Sequence, residues 1–211
     1  YISWYGSKVT VQKMHSKRAK ESMPLEIKKD ETLILDMGQN MTALPYMKVH
    51  AKKGTKIILQ FAEMLNDTGE AARGNDGLAG SLYRTNLRSA KARVCYIANG
   101  ESDTYQSVFT YFGYRYVSIT TDQDMILEDF ESKFIGIARE PAGTVITDHE
   151  KVNQLFQNIQ WSQRNNWLLV ATDCPQRDER LPWTGDIQVF CKTSLYNDDL
   201  HAFYLKWCQD A

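Results

Sequence analysis

Residues 141–150 read Pro141-Ala142-Gly143-Thr144-Val145-Ile146-Thr147-Asp148-His149-Glu150, and across them the spacing of apolar side chains changes. Before this stretch apolar residues recur at every second position; beyond it they recur at three and four. A period of two belongs to a half-buried strand and a period of 3.6 to an amphipathic helix. Pro141 and Gly143 punctuate the boundary. The chain is therefore expected to be β first and α afterwards.

Towards the N-terminus, Thr32-Leu33-Ile34-Leu35-Asp36-Met37 puts Leu33, Leu35 and Met37 on one face. Lys56 to Glu63 does the same with Ile57, Leu59 and Phe61, and Arg93 to Ile97 ends at the Asn99-Gly100 turn. Val108 to Phe112 is expected to break at Gly113, with Tyr114 to Ile119 and Phe130 to Ile137 as further strands. Short strands with polar turns and no amphipathic helix between them predict an antiparallel β-sandwich over residues 25–142. The glycine-rich stretch Asn66 to Ser81 is expected to be a mobile or domain-contacting loop, with a direct part in a ligand site as the lesser reading. Residues 1–24 are read as a linker or the remnant of a preceding domain.

Towards the C-terminus, Thr147 with Glu150 three residues on has the capping-box pattern, and Val152, Leu155, Phe156, Ile159 and Gln163 follow at helical spacing. Trp161 and Trp167 lie off that stripe. Ile187, Phe190, Cys191 and Leu195 predict a second helix. Asn197-Asp198-Asp199 caps a third, which carries Leu200, Phe203, Tyr204 and Trp207. Each helix has more apolar surface than two neighbours could cover. Residues 143–211 are thus expected to open a larger helical assembly, and a start at Tyr1 without Met suggests a piece of a longer protein.

A net charge of −1 over 211 residues gives no electrostatic case for nucleic acid or an anionic membrane. Apolar runs such as Trp167 to Ala171 are too short to span a bilayer. Cys95, Cys174, Cys191 and Cys208 are widely spaced with no CxxC pair, so free thiols are expected and a structural zinc site is not. No metal and no cofactor are expected, and the compartment stays open.

Between the first two helices runs Asp173-Cys174-Pro175-Gln176-Arg177-Asp178-Glu179-Arg180-Leu181-Pro182-Trp183-Thr184-Gly185-Asp186. Four carboxylates, two arginines and an indole in fourteen residues are more than a connection needs. Acids to donate and accept protons, and a flat apolar face for a ring, are the furniture of a carbohydrate-cleaving pocket. Bland alternatives stand beside this: an exposed ion pair for Glu179 with Arg177 or Arg180, a cap for Asp173, an N-cap for Asp186, and core packing for Trp183. Cys174 has no histidine near it in sequence and is not expected to act as a nucleophile.

This run resembles the active-site signature of the bacterial α-L-rhamnosidases of glycoside hydrolase family 78. Leu35-Asp36-Met37-Gly38-Gln39-Asn40, Thr85 to Ala92 and Phe109 to Val117 resemble landmarks of that family's preceding β-sandwich. The resemblance implies an (α/α)6 catalytic barrel, of which this chain holds the first helices, and removal of terminal α-L-rhamnose with inversion. It makes Glu179 the general acid, with Asp173, Arg177, Trp183 and Asp186 as rhamnose contacts and a general base outside the chain. The implied partners are a rhamnose-containing glycoside or polysaccharide and the remainder of its own polypeptide, so these 211 residues alone are expected to be inactive. The alternative is a non-catalytic carbohydrate-binding or structural sandwich with degenerate helices. Pro182 stands where the family usually has Gly, and proline excludes the φ > 0 that glycine permits.

Overall fold

The computed structural model describes residues 2–4, 10–13, 23–67, 74–137 and 140–210. These fall into two compact units, a β unit of Ile2–Phe134 with Gln176–Asp178 and a helical unit of Ile135–Pro175 with Glu179–Ala211. The strands in chain order are β1 (Ile2–Trp4), β2 (Thr10–Lys13), β3 (Leu25–Ile27), β4 (Thr32–Ala51), β5 (Lys56–Ala62) and β6 (Met64–Leu65). They continue as β7 (Leu82–Tyr83), β8 (Arg93–Ile97), β9 (Glu101–Gln106), β10 (Phe112–Thr121) and β11 (Met125–Ile135). The helices are α1 (Glu150–Asn166), α2 (Thr184–Asn197) and α3 (His201–Asp210). Of the N-terminal stretch read as a remnant, Ile2–Trp4 and Thr10–Lys13 are strands of this sheet, and its remaining residues up to Ser22 lie outside the described ones.

β4 organises the β unit. Its first half pairs antiparallel with β2 and β10, and its second half with β9 and β11. At Ala43 the strand has Phe112 of β10 on one edge and Phe134 of β11 on the other. β10 passes on to β5 and β5 to β8, while β11 carries β3. One long strand thus serves two antiparallel layers, the sandwich expected from alternation. Leu33, Leu35 and Met37 are buried as expected, with Ile57, Leu59, Phe61, Tyr114, Val117 and Ile119.

Ile34, on the opposite face, is buried too, in a smaller cluster with Ala62, Leu82 and Tyr116. The pair β6–β7 packs Leu82 and Leu65 against it, and the Asn66–Ser81 loop joins those two strands. Its described residues are tightly tied. The Asn66 side chain donates to Asp76 and Ser81 at 2.9 Å each, and Asp76 accepts from the backbone N–H groups of Arg84 and Thr85 at 2.7 Å.

Two details differ from expectation. Residues 107–111 are a loop with Phe109 fully exposed, and β10 starts at Phe112 and runs unbroken through Gly113. Thr147 is not the cap of α1: the helix begins after His149, and Thr147 exchanges hydrogen bonds with Asn153 instead of Glu150. An Asn side chain can return both a donor and an acceptor to the same backbone residue, which a glutamate cannot.

Candidate active site

α1 buries a polar face. Gln160, Gln163 and Asn165 are enclosed, while Val152 and Leu155 of the expected apolar stripe are exposed. Gln163 donates to the fully buried Asp198 carboxylate at 2.7 Å and accepts from Asn197 at 2.8 Å. Buried amides tolerate enclosure because both ends are paired. This network ties α1 to the α2–α3 turn, and Asp199 N–H to Glu140 C=O at 2.8 Å and Ala142 N–H to Asn197 C=O at 3.0 Å tie the incoming chain there as well.

Trp167 ends α1 and forms the apolar floor of the unit, stacked on Phe203 at 4.8 Å and edge-on to Phe190 and Tyr204. A tight turn then brings the chain back: Thr172 donates to Asn166 C=O through both its N–H and its hydroxyl. The result is a cavity of about 190 Å³ lined by Trp167, Ile187 and Phe190 below, with Asp173, Trp183 and Asp186 among its polar and aromatic walls. Ser162, Asn166 and Thr172 also line it. Those three escaped the sequence reading; Ser162 and Asn166 stand four apart on the last turn of a helix entering an acidic loop, and that spacing was the available signal.

Three of the five expected site residues, Asp173, Trp183 and Asp186, are brought together here. Asp186 lies in the first turn of α2 but does not cap it; the cap position is Trp183, with no side-chain cap bond. Its carboxylate is left for the cavity and gains from the positive end of the helix. Trp183 is 48% exposed, an indole set into a wall and not into the core. Pro182 fits this placement. Trp183 N–H donates to Leu181 C=O at 3.0 Å, a three-residue turn centred on the proline. An inverse γ-turn needs a central φ near −75°, which the pyrrolidine ring supplies.

Glu179 stands beside the cavity, not in its lining. The backbone N–H of Cys174 donates to Glu179 C=O at 3.2 Å, folding the loop so that the thiol lies 3.9 Å from the Glu179 carboxylate and 4.0 Å from that of Asp173. The donor atoms of Asp173, Cys174 and Glu179 lie within 4.8 Å of one another, and these are the residues that could converge on a metal ion among the described ones. Asp173 therefore lines the cavity, and the Glu179 carboxylate lies within 4.8 Å of it in space.

The middle of the loop belongs to the β unit. Ser89 donates to the Asp178 carboxylate, and Gly113 of β10 faces the backbone of Gln176. Arg177, the fifth expected residue, lies in this segment and does not line the cavity. Asp36 and Arg115 form a two-pronged ion pair at 2.7 and 2.8 Å, and Gly38 N–H donates to Asp36 at 2.8 Å. Glu63 accepts from Asn40 at 2.9 Å and from Asn86 at 3.4 Å. The three β-unit stretches singled out in the sequence are thus linked by side-chain bonds, and two of them, through Ser89 and Gly113, meet Gln176–Asp178.

Comparison with known proteins agrees with this anatomy. The family model of the bacterial alpha-L-rhamnosidase concanavalin-like domain matches residues 26–136, and that of the bacterial alpha-L-rhamnosidase 6 hairpin glycosidase domain matches residues 140–211. An alpha-L-rhamnosidase of Formosa agariphila is 37% identical over 199 residues, 92% of this chain and 20% of the relative. One of Streptomyces avermitilis is 35% identical over 199 residues, 86% of this chain and 17% of the relative. The chain spans about a fifth of the length of these curated relatives. Among solved structures, the alpha-L-rhamnosidase from Dictyoglumus thermophilum superposes with a TM-score of 0.75 at 31% identity, over 99% of this chain and 22% of that one. The Streptomyces avermitilis alpha-L-rhamnosidase complexed with L-rhamnose gives 0.68 at 35% identity, over 83% of this chain and 16% of that one. By its matched domains, its sequence relatives and its fold, the chain belongs to the bacterial α-L-rhamnosidase family.

Proposed function

We propose that this chain contributes the general acid and one wall of the sugar site to an inverting hydrolase that removes terminal α-L-rhamnose from glycosides or polysaccharides. The observation that carries the reading is the cavity lined by Asp173, Trp183 and Asp186, with the Glu179 carboxylate within 4.8 Å of Asp173. Its volume of about 190 Å³ is below the ~300–1,000 Å³ of sites for drug-sized ligands and suits one sugar ring. Ionised Asp173 and Asp186 each accept two hydrogen bonds from vicinal hydroxyls. Trp183, with Trp167 and Phe190 beneath, offers the apolar surface that the methyl of a 6-deoxy sugar packs against. Arg177 is assigned to the sugar-contacting set on the family resemblance alone.

Glu179 donates a proton to the leaving oxygen in this scheme. An inverting pair stands roughly 6.5–9.5 Å apart so that a water fits on the far side of the sugar. Asp173, within 4.8 Å of Glu179, is too near for that, and the family resemblance puts the base in the remainder of the polypeptide. In the full-length enzyme, Glu179→Gln should reduce turnover of natural rhamnosides by at least ~10²-fold, and far less with a leaving group that departs without protonation. Steady-state rates on the two substrate types check this. Equal losses on both would remove Glu179 from the acid's role.

A further inference from the structure

We infer that Ser89 and Gly113 are positioning residues for catalysis: the β unit holds Gln176–Asp178 in a fitted cradle and thereby fixes the backbone from which Glu179 projects. This rests on the reading of Glu179 as the acid. Gln176–Asp178 packs with the strands although its neighbours on both sides pack with the helices. Two contacts of different kinds hold it. The Ser89 hydroxyl donates to the Asp178 carboxylate, one peptide bond from Glu179. A hydrogen bond to an ionised acceptor is stronger and more directional than one between neutral groups.

The second contact is steric. A Cβ placed on Gly113 would stand 2.9 Å from Gln176 N and 3.1 Å from its Cα and Cβ. Two of those three atoms are backbone, which cannot swing aside as a side-chain tip can. Gly113 has no left-handed φ, so its use here is the space it leaves for Gln176. The cradle is itself braced. Ser89 follows Arg88 at φ 56°, in a stretch that ends with Ala92 at φ 38°. Asn86 reaches Glu63, which also holds Asn40, and Arg115, two residues beyond Gly113, holds Asp36. Left-handed backbone at residues with side chains persists only where surroundings enforce it. Two residues of the β unit thus hold the main chain that ends one peptide bond before Glu179.

The test uses the full-length enzyme carrying Ser89→Ala, Ser89→Thr or Gly113→Ala, alongside Glu179→Gln. Ser89→Ala should lose about tenfold in kcat on a natural rhamnoside, the scale of one charge-assisted hydrogen bond, with KM little changed. Gly113→Ala should lose on the order of 10²-fold, as expected for a displaced catalytic group. Both losses should shrink on an activated leaving group, and Ser89→Thr should restore most of the rate. Amide hydrogen exchange at Gln176–Asp178 gives a readout independent of the chemistry, and protection there should fall in Ser89→Ala. If Glu179→Gln discriminates between leaving groups and folded Ser89→Ala does not, the cradle role is overturned while the acid stands. If Glu179→Gln fails to discriminate, the acid assignment falls, and unchanged exchange in Ser89→Ala would overturn the cradle on its own. Should Gly113→Ala not fold, Ser89→Ala decides.

Discussion

At the scale of single residues, the clearest energetic commitment outside the site is Asp36 with Arg115. The Asp36 side chain is 9% exposed, and both its oxygens are held by the Arg115 guanidinium. Removing Arg115 would leave an enclosed carboxylate with the Gly38 N–H as its remaining donor among the described residues. The arginine is partly open to water, which softens the penalty, so Arg115→Ala should cost about 2 kcal/mol. Arg115→Lys should cost less, keeping the charge but losing the planar fork. Denaturant unfolding of the β unit measures both, and an Arg115→Ala protein as stable as the parent would sink the argument. Sequence gave access to Asp36 and Arg115 only as members of two resembling stretches. What joined them was a register, Tyr116 opposite Asp36, with an irregularity at Arg115 that turns the guanidinium onto the acid. Local pattern does not encode a partner some eighty positions away. The Pro182 substitution, by contrast, was legible as chemistry: a fixed φ excludes one conformation and suits the turn that is present.

At the scale of elements, strands were easier to read than the helix. Alternation located Leu33, Leu35 and Met37 correctly because one face of that strand meets the core, yet it hid the other face, where Ile34 lies under β6–β7. α1 failed in the opposite way. Val152 and Leu155 of its expected stripe are exposed, Phe156 and Ile159 are half-buried, and Gln163 is buried because Asn197 and Asp198 meet it there. Periodicity reports which face is apolar, not what will cover it. The Asn66–Ser81 loop shows a third case, since a glycine-rich polar run does not display the hydrogen bonds that tie its described residues. Burial alone would push the Asp76 carboxyl up, but Asn66, the Arg84 and Thr85 backbone N–H groups and the Thr85 hydroxyl together hold it below the ordinary aspartate value. A lowered value means the ionised form is the one that folding favours. Its contribution is complete above about pH 4 and is lost as the pH falls through the lower folded-state value. Hydrogen exchange at Arg84 and Thr85, corrected for intrinsic rates, should therefore accelerate in that acid window. Asp76→Asn should show the faster exchange already at neutral pH, and protection equal to the parent's would refute the assignment.

At the scale of the whole molecule, the helical unit is organised around surfaces that its own residues leave open. Leu155 of α1, Leu195 of α2 and Leu205 of α3 are each about half exposed or more. Leu195 and Leu205 line an apolar groove with Leu200 and Tyr204 between α2 and α3. Apolar grooves of this kind mark places where other structure docks. The chain spans about a fifth of its curated relatives, and its residues 140–211 match the family model of a six-hairpin glycosidase domain, so further hairpins of such a domain are the proposed cover. This makes a comparison possible that neither protein gives alone. In the 211-residue chain, Leu195→Glu puts a charge on an open surface and should change stability by no more than about 0.5 kcal/mol. In a full-length enzyme containing the chain, the same carboxylate would be enclosed without a partner, and the cost should rise to roughly 2–4 kcal/mol. Denaturant midpoints of the four proteins supply the difference. A small effect in both contexts would mean that the α2–α3 groove stays open in the full-length protein.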